Sequence, residues 1–110
     1  MRLVILESPY AGNRQTNLAY AYRCMLHSLS LGEAPFASHL LYPQFLEDSD
    51  PVQRALGMGA GLEWLRQAEA TVVYTDLGVS PGMHAGIARA RELGKPIVYR
   101  QIGYIPELAP

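Results

Sequence analysis

Residues 70–83 read Ala70-Thr71-Val72-Val73-Tyr74-Thr75-Asp76-Leu77-Gly78-Val79-Ser80-Pro81-Gly82-Met83. The apolar run from Ala70 to Val73 gives way to a polar loop, and a helical pattern follows from Met83 to Leu93. The pattern is strand, loop, helix. In open α/β sheets, ligands bind beyond the carboxyl ends of the strands. The incoming helix offers free backbone N–H groups and the positive end of its dipole at the same place. Ser80 suits the N-cap, Pro81 the first helical position, and Gly82 lets a ligand approach the backbone. Ser80, Gly82, Met83 and His84 are therefore a candidate anion- or phosphate-binding set.

The same alternation extends in both directions. Leu3-Val4-Ile5-Leu6 is a short continuous apolar run, the mark of a strand buried on both faces. Glu7 to Arg14 carries the loop signals Pro9, Gly12 and Asn13. A helix is expected from about Thr16 to Gly32, with Leu18, Tyr22, Met25 and Leu29 as its apolar stripe. Ala34-Pro35-Phe36-Ala37 is a weak second strand, and a loop rich in large residues runs from Ser38 to Glu47. A loop this apolar packs over a pocket or a partner. A second helix is capped at Asp50 and runs to Gln67, with Ala55, Met58, Leu62 and Leu65 as its stripe. Gly57, Gly59 and Gly61 lie inside it, which implies either close approach of another helix or of a ligand, or a frayed or irregular first half. Ile97-Val98-Tyr99 closes the series as a further strand, and Gln101 to Pro110 is a tail expected along the surface or against a neighbour.

This is βαβαβαβ, which predicts an α/β fold: a flavodoxin- or Rossmann-like three-layer sandwich on a four-stranded parallel sheet of order 2-1-3-4. The crevice then falls between the loops Ser8–Arg14 and Asp76–Gly82. The 110 residues are read as one domain. With 49% hydrophobic residues the chain is not disordered, and a net charge of −1 without a basic block excludes a general nucleic-acid binder or a membrane-surface patch. No apolar run reaches the roughly 18 residues of a membrane span. The single cysteine, Cys24, fits a reducing compartment, and a cytoplasmic location is expected. No His, Cys or acidic pair has metal spacing, no nucleotide-cofactor motif follows a strand, and no cofactor is expected.

Two acids stand at strand ends. Glu7 closes the first strand at the crevice, and Asp76 follows the third; each is a candidate catalytic group. Asp76 has the plainer alternative of bonding to loop N–H groups. Arg14 is a candidate phosphate partner because its fork suits that geometry. His39 is a candidate lid residue, His27 is placed at the surface, and Cys24 in the core.

The chain resembles the nucleoside 2-deoxyribosyltransferase-like superfamily, in particular its small bacterial and phage branches. The resemblance covers most of the chain. It rests on Ser8-Pro9-Tyr10 after the first strand, Trp64-Leu65-x-Gln67-Ala68 before an apolar strand, Ser80-Pro81-Gly82, Ile87-Ala88-Arg89-Ala90 and Gly94-Lys95-Pro96. It implies N-glycosidic chemistry on nucleosides or their monophosphates, with a glutamate on the last helix as nucleophile. It also implies that Ser80 and Gly82 contact a 5′-phosphate and that Tyr10 lies near base or sugar, with Ser8 and Gly12 in the same loop. The matching positions for two family acids are Gly86 and Gly61 here, and glycine does neither acid's work. Two expectations follow: a protein that binds a nucleoside or nucleotide without cleaving it, or an enzyme that uses Glu7 or Asp76 instead. A homodimer or higher homo-oligomer is expected with either.

Overall fold

A computed structural model describes residues 1–104. Strands β1 (Arg2–Glu7), β2 (Glu33–Phe36), β3 (Ala70–Tyr74) and β4 (Ile97–Arg100) pair in parallel in the order β2-β1-β3-β4, as expected. Successive side chains of a strand point to opposite faces, and each face of this sheet has its own helices. Val4, Leu6, Val72 and Tyr74 pack against Tyr20 and Cys24 of α1 (Arg14–Ser30). Ile5 packs with Leu65 of α3 (Pro51–Gln67) and Ala90 of α4 (Pro81–Glu92), and Val73 with Met83 and Ile87. The result is three layers. Between β2 and α3 lie a one-turn helix α2 (Ser38–Leu41) and a 3-10 turn (Tyr42–Gln44), where the sequence suggested only a loop. No helix among the described residues is long and apolar enough to cross a membrane. Of the expected tail, residues 105–110 lie outside the described residues.

The buried side of α1 differs from the expected stripe. Leu18, Tyr22 and Leu29 are exposed, and the face on the sheet is Asn17, Tyr20, Ala21, Cys24 and Ser28. Polar residues are admitted there because partners await them. Asn17 Nδ2 donates to the carbonyls of Tyr10 (3.1 Å) and Ala11 (2.9 Å), and Ser28 Oγ donates to Glu33 Oε1 (2.7 Å). A buried polar group with partners does not carry the desolvation cost of an unpaired one. His27, expected at the surface, is half-buried with Nδ1 2.8 Å from the Tyr74 hydroxyl.

The stripe of α3 holds only at its end. Leu62 and Leu65 pack inward, but Ala55 and Met58 are exposed. The helix instead meets the α2 and 3-10 segment through glycines. A methyl on Gly57 would sit 3.1 Å from Leu46 Cδ1, and one on Gly61 3.7 Å from Ser38 Cβ. Gly59 faces open space. The helix is continuous through all three.

Both edge strands are tied across the α1 face. Arg100, at the end of β4, makes a forked ion pair with Glu33, at the start of β2, at 2.6 and 2.8 Å. Its Nη1 also donates to the Tyr74 hydroxyl at 3.2 Å. The Arg100 fork, helped by Ser28, overcomes burial and holds the Glu33 carboxyl below its usual range. The side chains are 16% and 5% exposed, so removing one partner strands the other's charge. Arg100→Ala is expected to cost about 3 kcal/mol near neutral pH in urea unfolding. The lowered Glu33 pKa makes this contribution present above the ordinary carboxylate range and lost on acidification. The deficit should therefore shrink below about pH 4.

Candidate functional site

β1 ends in Glu7-Ser8-Pro9-Tyr10, and each residue takes a different direction. By strand alternation, Glu7 points with Ile5 to the α3/α4 face. There it meets α4 at Gly86, which is buried. A methyl on Gly86 would lie 2.7 Å from Glu7 Cδ and closer still to Oε2. The carboxyl thus fills the space that a side chain at position 86 would take. Glycine at 86 is the condition for its being there, since any larger residue would push the carboxyl aside.

Burial pushes the Glu7 carboxyl up to about 7, against the pull of the Arg89 charge. Arg89 lies three residues beyond Gly86, on the same helix face. The ion pairs among the described residues join Arg2 to Glu69, Arg66 to Glu63 and Arg100 to Glu33, and Glu7 is in none of them. A carboxyl with this pKa is present in both protonation states at neutral pH, the condition for a general acid, a base or a nucleophile.

Ser8 is buried, its Oγ 2.8 Å from His39 Nε2. Burial lowers His39 to about 4, so the ring is neutral at neutral pH. The pair fastens α2 to the end of β1. Tyr10 stands edge-on to His39, with ring centroids 6.4 Å apart, and Arg14 covers its face at 5.1 Å.

Above this floor opens a cleft of about 450 Å³. Tyr10, Ala11 and Arg14 form one side; Ser38, His39, Tyr42 and Leu46 the second; Gln53, Arg54, Gly57 and Gly61 the third. Arg89 closes it from α4. The apolar 38–47 segment does pack over a pocket. Gly57 and Gly61, one turn apart, are among the residues that line it.

Of the candidates, Tyr10 and Arg14 line this cleft. Glu7 and Ser8 are not among its lining residues; Ser8 touches the lining through His39, and Glu7 feels the charge of Arg89. Gly12 lies in the adjoining turn with φ +100°, a left-handed backbone that glycine adopts freely. The other set stands apart from the cleft lining. Ser80 caps α4, its Oγ accepting from Met83 N at 3.3 Å, and Met83 is core. Gly82 and His84 are exposed on the first turn of α4.

Asp76 is tied into the fold by hydrogen bonds. Its oxygens accept from the Tyr20 hydroxyl (2.6 Å) and from the N–H groups of Ile102, Gly103 and Tyr104 (2.8–3.2 Å). Burial alone would raise this carboxyl, but those donors outweigh it and hold it below the usual range. Among the cleft residues that the sequence reading did not single out are Tyr42, Asp48, Gln53, Arg54 and Arg89. Helical spacing from the odd glycines finds two of them: Arg54 with Gly57 and Gly61, and Arg89 with Gly86.

Over residues 2–100 the sequence matches a family described as Domain of unknown function (DUF7768). No curated protein matches it significantly. Solved structures that share its fold include two deoxyribosyltransferases. One is a 2-deoxyribosyltransferase from the psychrotolerant bacterium Bacillus psychrosaccharolyticus, characterised as a biocatalyst for nucleoside synthesis. It is 19% identical with a TM-score of 0.72, over 94% of this chain and 75% of that one. The other is a 2-desoxiribosyltransferase from Leishmania mexicana, 11% identical with a TM-score of 0.64, over 92% of this chain and 65% of that one. At such identities the likeness is one of fold.

The two shifted groups oppose each other in stability. Glu7 is raised from 4.5 to about 7, so its contribution is complete below 4.5 and lost as pH rises through 7. His39 is lowered from 6.5 to about 4, so protonation of the unfolded chain disfavours folding, and stability rises with pH across that window. Glu7→Gln removes the first term only. Relative to the parent, it should gain about 2–3 kcal/mol between about pH 5 and pH 8 in chemical unfolding, after allowance for partial exposure. A constant difference would mean that Glu7 is not held neutral.

Proposed function

The chain belongs to the DUF7768 family, and we propose that it acts on the N-glycosidic bond of a nucleoside or nucleotide, with Glu7 as the reacting carboxylate. The observation that carries this is the Glu7 carboxyl lodged against Gly86. The resemblance to deoxyribosyltransferase-like proteins assigns the nucleophilic glutamate to position 86. Here a carboxyl reaches that space from the neighbouring strand instead. The solved deoxyribosyltransferases of the same fold support nucleoside chemistry on this scaffold.

In the proposed reaction, a Glu7 oxygen bonds to the sugar's anomeric carbon as the bond to the base nitrogen breaks. The base leaves as its anion and takes up a proton from water. Water then opens the sugar ester in hydrolysis, or a second base opens it in transfer. Tyr10 and Tyr42 supply flat apolar walls suited to base or sugar. Ser8 and His39 hold the wall in place.

One observation favours binding without cleavage: glycine stands at both positions the resemblance gives to acids, Gly61 and Gly86. One experiment separates the two readings. The protein is incubated with deoxynucleosides and their 5′-monophosphates, free base is measured by chromatography, and binding by thermal shift. The enzyme reading expects released base, lost by on the order of a hundredfold or more in Glu7→Gln. It also expects partial recovery in the double variant Glu7→Ala with Gly86→Glu, which returns the carboxyl to the helix. Thermal shift without base release would establish the binding reading. Release unaffected by Glu7→Gln would remove Glu7 from the mechanism.

A homo-oligomer belongs to the same proposal. The outward face of α1 exposes Tyr22 (55%), Leu26 (63%) and Leu29 (47%), the kind of surface that association covers. A monomeric mass by light scattering at high micromolar concentration would count against it.

A further inference from the structure

We propose that the cleft takes a nucleoside monophosphate and that Arg54 and Arg89, with Arg14 at the rim, hold its phosphate. This rests on the nucleoside reading above and narrows it to one substrate class.

Three arginines meet at this cleft from three separate elements: Arg14 at the start of α1, Arg54 in the first turns of α3 and Arg89 on α4. Outside the cleft, Arg2 pairs with Glu69, Arg66 with Glu63 and Arg100 with Glu33, while Arg23 and Arg91 are exposed and in none of these pairs. The cleft three are in no ion pair among the described residues. Two acids share the lining, Glu47 and Asp48. Glu47 Oε1 is turned back to the Ser49 hydroxyl at 3.0 Å. Glu7 feels the Arg89 charge, but burial pushes its carboxyl up to about 7, so it is only partly ionised at neutral pH.

The cleft is therefore lined by guanidinium groups whose charges are not answered by ion pairs within the fold. Guanidinium forks match phosphate oxygens two at a time, and a dianion answers more than one of them. A volume of about 450 Å³ lies within the range of small-molecule sites. Tyr10 and Tyr42 leave apolar wall for base and sugar. The start of α4, with Ser80 and Gly82, is the competing place for a phosphate, and it stands apart from this cleft lining.

The test is calorimetric binding of a deoxynucleoside and its 5′-monophosphate to the parent and to Arg54→Gln, Arg89→Gln, Ser80→Ala and Arg91→Gln. The last changes an exposed arginine of α4 outside the cleft. The monophosphate should bind at least roughly tenfold tighter than the nucleoside. Arg54→Gln and Arg89→Gln should each remove about tenfold of that advantage while nucleoside affinity stays within about twofold. Ser80→Ala and Arg91→Gln should change neither, and raised salt should weaken only the monophosphate. Arg54 is exposed, so its variant tests the idea without risk to the core.

Equal affinity for nucleoside and monophosphate would overturn this proposal and leave the nucleoside reading standing. So would a loss on Ser80→Ala with none on Arg54→Gln. Binding of neither ligand would overturn both.

Discussion

A carboxylate taken out of water must be answered by opposite charge, by hydrogen-bond donors or by a proton, because an unanswered one costs several kcal/mol. Three acids in this fold meet that constraint in three ways. Glu33 is answered by charge, through the fork of Arg100. Asp76 is answered by donors, one hydroxyl and a row of backbone N–H groups. Both end with lowered pKa and fixed geometry. They hold edge strands and the segment after β4 in place, and a group so engaged has little freedom to react. Glu7 is answered by a proton in the share of molecules that hold one at neutral pH, since Arg89 only partly offsets burial. Of the three, the acid answered by neither an ion pair nor hydrogen-bond donors among the described residues is the one lodged against Gly86.

That placement depends on side chains that are missing. Gly57 lets the segment that includes Leu46 close on α3, Gly86 leaves a berth for the Glu7 carboxyl, and Gly61 faces Ser38 at ordinary contact distance. All three sit in helices, where glycine costs up to about 1 kcal/mol each against alanine. The cleft and its acid are thus made partly by subtraction. Local stability is given up at helix positions where another part of the chain arrives.

This explains which parts of the molecule were legible in the sequence. Strand order followed from alternation and connection rules, because Val4 to Leu6 and Ala70 to Tyr74 are apolar without a break and the crossovers are short. Caps were legible because Asp50 and Ser80 act on residues two or three positions away. The inner face of α1 was not. Its polar members are admitted by partners far along the chain or in loops, and a count of large apolar residues picks the outer face. Asp76 shows both sides: its position at a strand end was plain, and its donors from residues 102–104 were not. The contact between Glu7 and Gly86 joins residues at opposite ends of the sequence, and no spacing rule reaches across that distance. The oddity of glycine at 86 was visible; what it made room for was not.

The same contact alters what an acid at this point can do. A glutamate rooted on α4 would reach the site from its own helix, whereas Glu7 comes from a central strand whose backbone is fixed by pairing on both sides. Its freedom lies in the side chain alone, and Gly86 and the burial around it restrict that freedom further. Arg89 then becomes the main external influence on its proton. If a ligand phosphate takes up the Arg89 charge, the pull that lowers the Glu7 pKa weakens and Glu7 holds its proton more firmly; a neutral nucleoside leaves that pull intact. Linkage makes the effect reciprocal: protonation of Glu7 removes a competing anion and strengthens phosphate binding at Arg89. On this reading one arginine lets the charge of the ligand set the protonation state of the acid beside it, so the carboxylate form that attacks the sugar is reached at higher pH with a monophosphate bound than with a neutral nucleoside.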